Sequence, residues 1–145
     1  ILDLKNYFNN SNKLKEELKE YDVIWVRGGN TFVLAQAFKL SGFDNIIKQY
    51  YKGNKNIVYG GYSAGICILG PTLKGIELAD DPSQKPYGEQ YQTIWEGLHI
   101  LDYAVAPHYK SDHPESEDID KYVKYMTDNK IPFKALKDGE VIIIE

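Results

Sequence analysis

The sequence predicts an α/β fold: a mostly parallel sheet flanked by helices on both faces. Three observations carry that prediction. Short runs of β-formers alternate with helical patterns through the first half of the chain, the order that builds a parallel layer. The clearest run, Asp22-Val23-Ile24-Trp25-Val26-Arg27, is apolar enough to read as a central strand. Gly28-Gly29-Asn30, Ser63 and His108 all fall where a strand runs out, and parallel sheets bind their ligands at those ends. With 145 residues, the chain suits one domain, 1–145, around one core.

Taken in order, Ile1 to Leu4 reads as a short buried strand. Ser11 to Glu20 reads as a helix with Asn10 or Ser11 as N-cap and Leu14 and Leu18 on one face. After the Asp22–Arg27 strand and its glycines, Thr31 to Leu40 is a helix with Phe32, Ala35 and Phe38 or Lys39 on successive turns. Gly42 suits its C-terminus. Asp44 to Lys52 is a further helix, with an acidic start and a stop at Gly53. Asn56 to Leu69 reads as a buried strand, a glycine-pinched turn and the start of an apolar helix. Pro71 to Gly97 reads as an irregular excursion that has room for a hairpin. Tyr103 to Ala106 is a short strand, and Pro114 to Asn129 is a helix with Ile119, Val123 and Met126 inward. Phe133 to Leu136 and Glu140 to Ile144 suggest a hairpin turned by Lys137-Asp138-Gly139.

Composition narrows the function. Apolar residues make up 43%, ordinary for a globular chain, and no apolar run approaches the about 20 residues that cross a bilayer. The net charge of -4 and the absence of a basic stripe speak against nucleic acid. The single cysteine, Cys67, excludes an internal disulfide framework and suits a reducing compartment, so a cytoplasmic setting without signal peptide is expected. The chain opens on Ile1 rather than Met; a piece of a longer protein and lost ends both fit that start.

The chemistry centres on Gly61-Tyr62-Ser63-Ala64-Gly65. This is a G-x-S-x-G elbow in the strand-turn-helix setting that the motif requires. Chance alone yields the pattern about one time in twenty in such a chain, before that setting is considered. Read as chemistry, Ser63 is a nucleophile; read as packing, it is a small-residue turn. A serine needs a base. His108, just past a strand end, is the first candidate, His113 the second, while His99 reads as packing. For the acid behind the base, Asp138 in its turn and Asp80, Asp81 and Asp102 upstream all remain open. Backbone N–H groups at Gly28-Gly29 and at Ala64 suit an oxyanion. No phosphate loop appears, no cofactor is called for, and the histidine spacings match no common metal motif. Cys67 reads as buried filler.

Val26-Arg27-Gly28-Gly29-Asn30-Thr31-Phe32, Gly61-Tyr62-Ser63-Ala64-Gly65, Pro71-Thr72 and Ala106-Pro107-His108-Tyr109, in this order and spacing, resemble the dipeptidase E (aspartyl dipeptidase) family of serine peptidases, which includes the cyanophycinases. The resemblance runs over nearly the whole chain. It implies a class I glutamine amidotransferase-like fold with serine replacing cysteine at the elbow. It implies Ser63 as nucleophile, His108 as base, Gly29 and Ala64 as oxyanion donors, and Asn30 near the substrate. The family's acid lies in a Leu-x-acid-Gly turn, which Leu136-Lys137-Asp138-Gly139 matches, with Asp where some members have Glu. Aspartyl-specific members carry an arginine after the base histidine; here His113-Pro114-Glu115-Ser116-Glu117-Asp118 offers acids instead. Members also begin before Ile1 and continue past Glu145, so an incomplete copy of the family domain is expected.

The expectation is therefore a serine-type peptidase of short peptides, without cofactor or metal, compatible with a homodimer. A non-catalytic α/β binding or regulatory module, or an amide hydrolase of other specificity, is the alternative.

Overall fold

The computed structural model describes residues 1–53 and 57–144; Asn56 and Glu145, at the edges of two of the expected strands, lie outside them. The chain opens on a 3-10 turn, Leu4–Tyr7, not on the expected strand. The Asp3 carboxylate accepts the Lys5 N–H at 3.0 Å, and that local bond draws the backbone away from an extended path. Helix α1 (Ser11–Glu17) follows, capped by Asn10, whose side chain accepts the Lys13 N–H at 3.3 Å. It tightens into a 3-10 turn at Leu18–Glu20, and Leu14 and Leu18 are buried as their spacing predicts.

Strand β1 (Val23–Val26) leads through the glycine turn into α2 (Thr31–Ser41) and α3 (Phe43–Lys52). The two helices break at Gly42, whose φ of 76° lies in the left-handed region. Phe43, Ile46, Ile47 and Tyr50 stack one buried stripe on α3. Asp44 lies in its first turn and faces Lys39 at 3.6 Å; Gly42, not an acid, occupies the cap. Strand β2 (Val58–Gly61) then runs parallel to β1, in register Val23↔Val58 to Val26↔Gly61, and the four-residue α4 (Ala64–Cys67) turns back against it.

The second half repeats the scheme. Strand β3 (Ala104–Ala106), fully buried, crosses through α5 (Ser116–Asp128) to β4 (Phe133–Ala135), and the two strands pair in parallel. Ile119, Tyr122 and Met126 are the buried face of α5. The expected hairpin at the chain's end does not form. Its first strand gives its ladder to β3, and Lys137 to Glu140 close a turn in which Glu140 N–H donates to Lys137 O at 3.0 Å. Between the halves, Pro71 to Gly97 is irregular, with a 3-10 turn at Ile76–Leu78 and one antiparallel bridge, Thr72↔Glu96. Among the described residues no helix is long and apolar enough to cross a membrane.

Both strand pairs are parallel because helices supply their crossovers, and this puts their carboxyl ends to work. The glycine turn after β1 adjoins Tyr62 and Ser63 after β2; Pro107-His108 after β3 adjoins Leu136 to Asp138 after β4. Helix α4 touches β2, β3 and α2 and links the halves. β1 is less enclosed than a central strand: Val23 and Trp25 are exposed, Trp25 by 63%, while Ile24 and Val26 pack inward.

The elbow lies against β1 with no room to spare. A Cβ at Gly65 would collide with the Val26 carbonyl oxygen and stand 3.0 Å from its carbon, backbone atoms that cannot rotate away. Gly65→Ala is therefore expected to lose about 1–3 kcal/mol by overpacking, read as a lower urea midpoint. An unchanged midpoint would contradict this packing.

Candidate active site

Ser63 leaves β2 with φ 50° and ψ −123°, a conformation that L-residues hold only where the surroundings enforce it. The enforcement is visible at Gly28. A Cβ there would stand 2.9 Å from Ser63 Cβ and 3.2 Å from its Oγ, so the two turns meet only because Gly28 has no side chain. Ser63 is partly exposed, and among the described residues its hydroxyl has no hydrogen-bond partner.

The first N–H of α4, that of Ala64, and the N–H of Gly29 likewise find no acceptor among the described residues. Gly29 holds φ 130°, and open space surrounds the position a side chain would take. Two backbone donors at adjacent turns are thus unengaged among the described residues.

Asn30 holds this loop in place. Its Oδ1 accepts the N–H groups of Phe32 and Val33 at 2.9 and 3.0 Å, capping α2, and its Nδ2 donates to Asp81 O at 2.8 Å. Asp80 assists: its carboxylate accepts the Thr31 N–H at 2.8 Å, at the positive end of α2. Asp81 is turned to Ser83, whose hydroxyl and N–H hold its carboxyl below the ordinary value. Two of the acids left open by the sequence are therefore committed to this loop. Asp102 precedes β3 and lies at the opposite end of that strand from His108.

His108 follows Ala106-Pro107 with a left-handed φ of 60°. Its Nδ1 stands 2.6 Å from Asp138 Oδ1, with the ring 13% exposed and the carboxylate 47%. The two turns are knit by backbone: Tyr109 N–H donates to Leu136 O, and Asp138 N–H to Ser111 Oγ. Asp138 on Nδ1 leaves Nε2 as the free nitrogen of His108. The His113 ring stacks on His108 at 3.7 Å with an 8° tilt, and its own Nδ1 accepts the Glu115 N–H at 3.2 Å. No hydrogen bond joins Ser63 to either ring among the described residues; such bonds often tighten only with substrate in place. His99 is exposed and pairs with Glu96 at 3.0 Å.

Two rim residues escaped the reading of the sequence. Arg27 Nε donates a long 3.5 Å bond to Tyr62 Oη, which holds the phenol below its ordinary pKa, and the Tyr62 ring covers Gly28. The available signal was Arg27 itself, the single arginine of the chain, immediately before the glycine pair. Cys67 is buried behind the elbow with Sγ 3.5 Å from Val105 O, and burial pushes its thiol up.

A parallel α/β layer with a glycine-flanked serine at its elbow fits a class I glutamine amidotransferase-like fold in which serine takes the elbow position. The model of peptidase family S51 matches residues 1–145. The chain belongs to that family, the dipeptidase E group of peptidases. It is 36% identical over 94 residues to an uncharacterized peptidase of Listeria innocua, covering 65% of this chain and 42% of the relative. It is 26% identical over 133 residues to peptidase E of Streptomyces coelicolor, covering 88% of this chain and 51% of the relative. A solved Listeria monocytogenes structure described under the name peptidase E superposes with a TM-score of 0.75 at 27% identity, over 97% of this chain and 67% of that one. The chain thus spans about half the length of the relatives named here.

Asn30→Ala should lose about 0.5–2 kcal/mol with the cap, measured by denaturant melts. Cys67 should resist a thiol reagent in the native protein and react only on unfolding; rapid native labelling would contradict its burial.

Proposed function

We propose that this chain carries the catalytic centre of a serine-type peptidase acting on short peptides. The observation that carries the reading is the His108–Asp138 pair, 2.6 Å apart past the carboxyl ends of β3 and β4, with the strained Ser63 turn past the carboxyl end of β2 in the neighbouring strand pair, which α4 joins to β3. Ser63 Oγ attacks the scissile carbonyl, and His108 Nε2 takes its proton. Asp138 fixes the tautomer through Nδ1 and stabilises the imidazolium. The N–H groups of Gly29 and Ala64 receive the developing oxyanion, where preorganised donors act most strongly. His108 then protonates the departing amine. A water, deprotonated by the same imidazole, releases the acyl group from Ser63. Asn30 sets the height of the Gly29 donor beneath the substrate rather than bonding it, since its polar atoms are engaged within the protein. A cytoplasmic setting agrees with the single, buried thiol.

Four measurements test this. A fluorophosphonate should label Ser63, and Ser63→Ala should abolish dipeptide hydrolysis; full hydrolysis by the alanine variant would end the proposal. Asp138→Asn should keep the fold and lower kcat by about 10⁴, the size of effect seen when a triad carboxylate is neutralised. In a dipeptide panel varied at the first residue, neutral residues should exceed aspartate, because Glu115 lies within the same cluster as His108 and would repel a second carboxylate.

A further inference from the structure

His108, His113 and Glu115 bring one ligand atom each to within 4.8 Å of one another, and all three are partly exposed. We propose that they form a binding site for a divalent cation of the zinc class, and that filling it withdraws the His108 nitrogen from catalysis. The binding half stands by itself; the regulatory half rests on the reading of His108 as the base.

The donor set selects the metal. Two imidazoles and a carboxylate suit zinc, whereas magnesium and calcium require oxygen ligands. Zinc–nitrogen bonds of about 2.0–2.1 Å put tetrahedral ligands roughly 3.3 Å apart, so the three atoms close on the ion by side-chain rotation alone. Asp138 already performs the task that a carboxylate performs behind a metal-bound histidine: it engages Nδ1 at 2.6 Å and turns Nε2 outward with its lone pair available. The segment from His113 to Glu115 is held by its own turn, with Ser116 N–H on His113 O at 3.0 Å and Ser111 N–H on Ser116 Oγ at 3.2 Å. Its two ligands are therefore presented together from a fixed piece of backbone.

The stacking is the part that must change. Parallel rings 3.7 Å apart cannot both hold one ion in their planes, so the rings splay when the metal enters. His113 also exchanges the Glu115 N–H contact for the ion or moves its proton to Nδ1. With three protein ligands, a water completes the tetrahedron. The bound His108 Nε2 then has no lone pair for the Ser63 proton, and hydrolysis stops.

The test uses the full chain stripped with chelator. Zinc is titrated in competition with a chromophoric chelator, and cobalt is added separately to read the visible absorption of a tetrahedral site. One equivalent of tight binding is expected. Glu115→Gln and His113→Gln should each weaken it at least about tenfold, with unchanged thermal melts. Zinc should inhibit hydrolysis with the midpoint of the binding curve, and in Glu115→Gln and His113→Gln the inhibition midpoint should rise with the weakened binding. Equal binding by both variants and the wild type, or no stoichiometric binding, would overturn the site. Activation by zinc would overturn its inhibitory role. A stripped protein without turnover would defeat the peptidase reading and the inhibitory role with it, while the binding titration still decides the site.

Discussion

Gly28, Gly61 and Gly65 remove the side chains where β1 meets the elbow, and the site is arranged around that backbone contact. The parallel register sets Val26 beside Gly61, so the two strands end level. From there the chain has only a few residues in which to place two donors and a hydroxyl. A side chain at Gly28 or Gly65 would push the elbow off β1, and the Ser63 conformation would relax toward an ordinary turn. The strain at Ser63 is therefore held by packing on both sides of it. This is the sense in which the fold precedes the chemistry: a serine of identical sequence context in a looser layer would lose its φ of 50° before it lost its neighbours.

The second half of the chain solves a different problem. A histidine and a carboxylate thirty residues apart must arrive at one place. Strand β3 and strand β4 deliver them because α5 returns the chain in parallel, and His108 and Asp138 each follow the last ladder bond of its strand. Short strands suffice, since β3 is buried throughout and α4 and α5 both pack against it. The His108–Asp138 contact is a tertiary consequence of parallel pairing, and a terminal hairpin would have turned Asp138 elsewhere.

That difference explains what was legible beforehand. Elements with a helical period and local stops were readable: α2, with its Phe32, Ala35 and Phe38 spacing and Gly42 at its end, and α3, which stops at Gly53, although Gly42 and not an acid caps its start. The elbow was readable because its glycines announce close approach. The final hairpin was misread because Lys137-Asp138-Gly139 is good turn chemistry in any setting, and only the distant β3 decides which strand β4 joins. The opening strand failed for the opposite reason, a local Asp3 cap outweighing apolar composition. Asp138 was singled out among four acids by a motif resemblance; no property of the residue itself separated it from Asp80, which is spent on the start of α2. The Tyr62–Arg27 pair and the His108–His113 stack depend on strand ends meeting, which single-chain patterns do not encode.

The excursion between Pro71 and Gly97 is fastened to α2 in a manner that bears on how such proteins diverge. Asn30 reaches Asp81 through its carbonyl oxygen, and Gln36 reaches Gln84 in the same way at 2.8 Å. Both anchors grip main chain, so they are blind to the side chains they hold. Apart from Asp80, whose carboxylate holds the Thr31 N–H, residues along this loop can drift in character while the tether and the glycine turn beneath it keep their geometry. The fold has in this way separated the inherited part of its surface from the part that is free to vary.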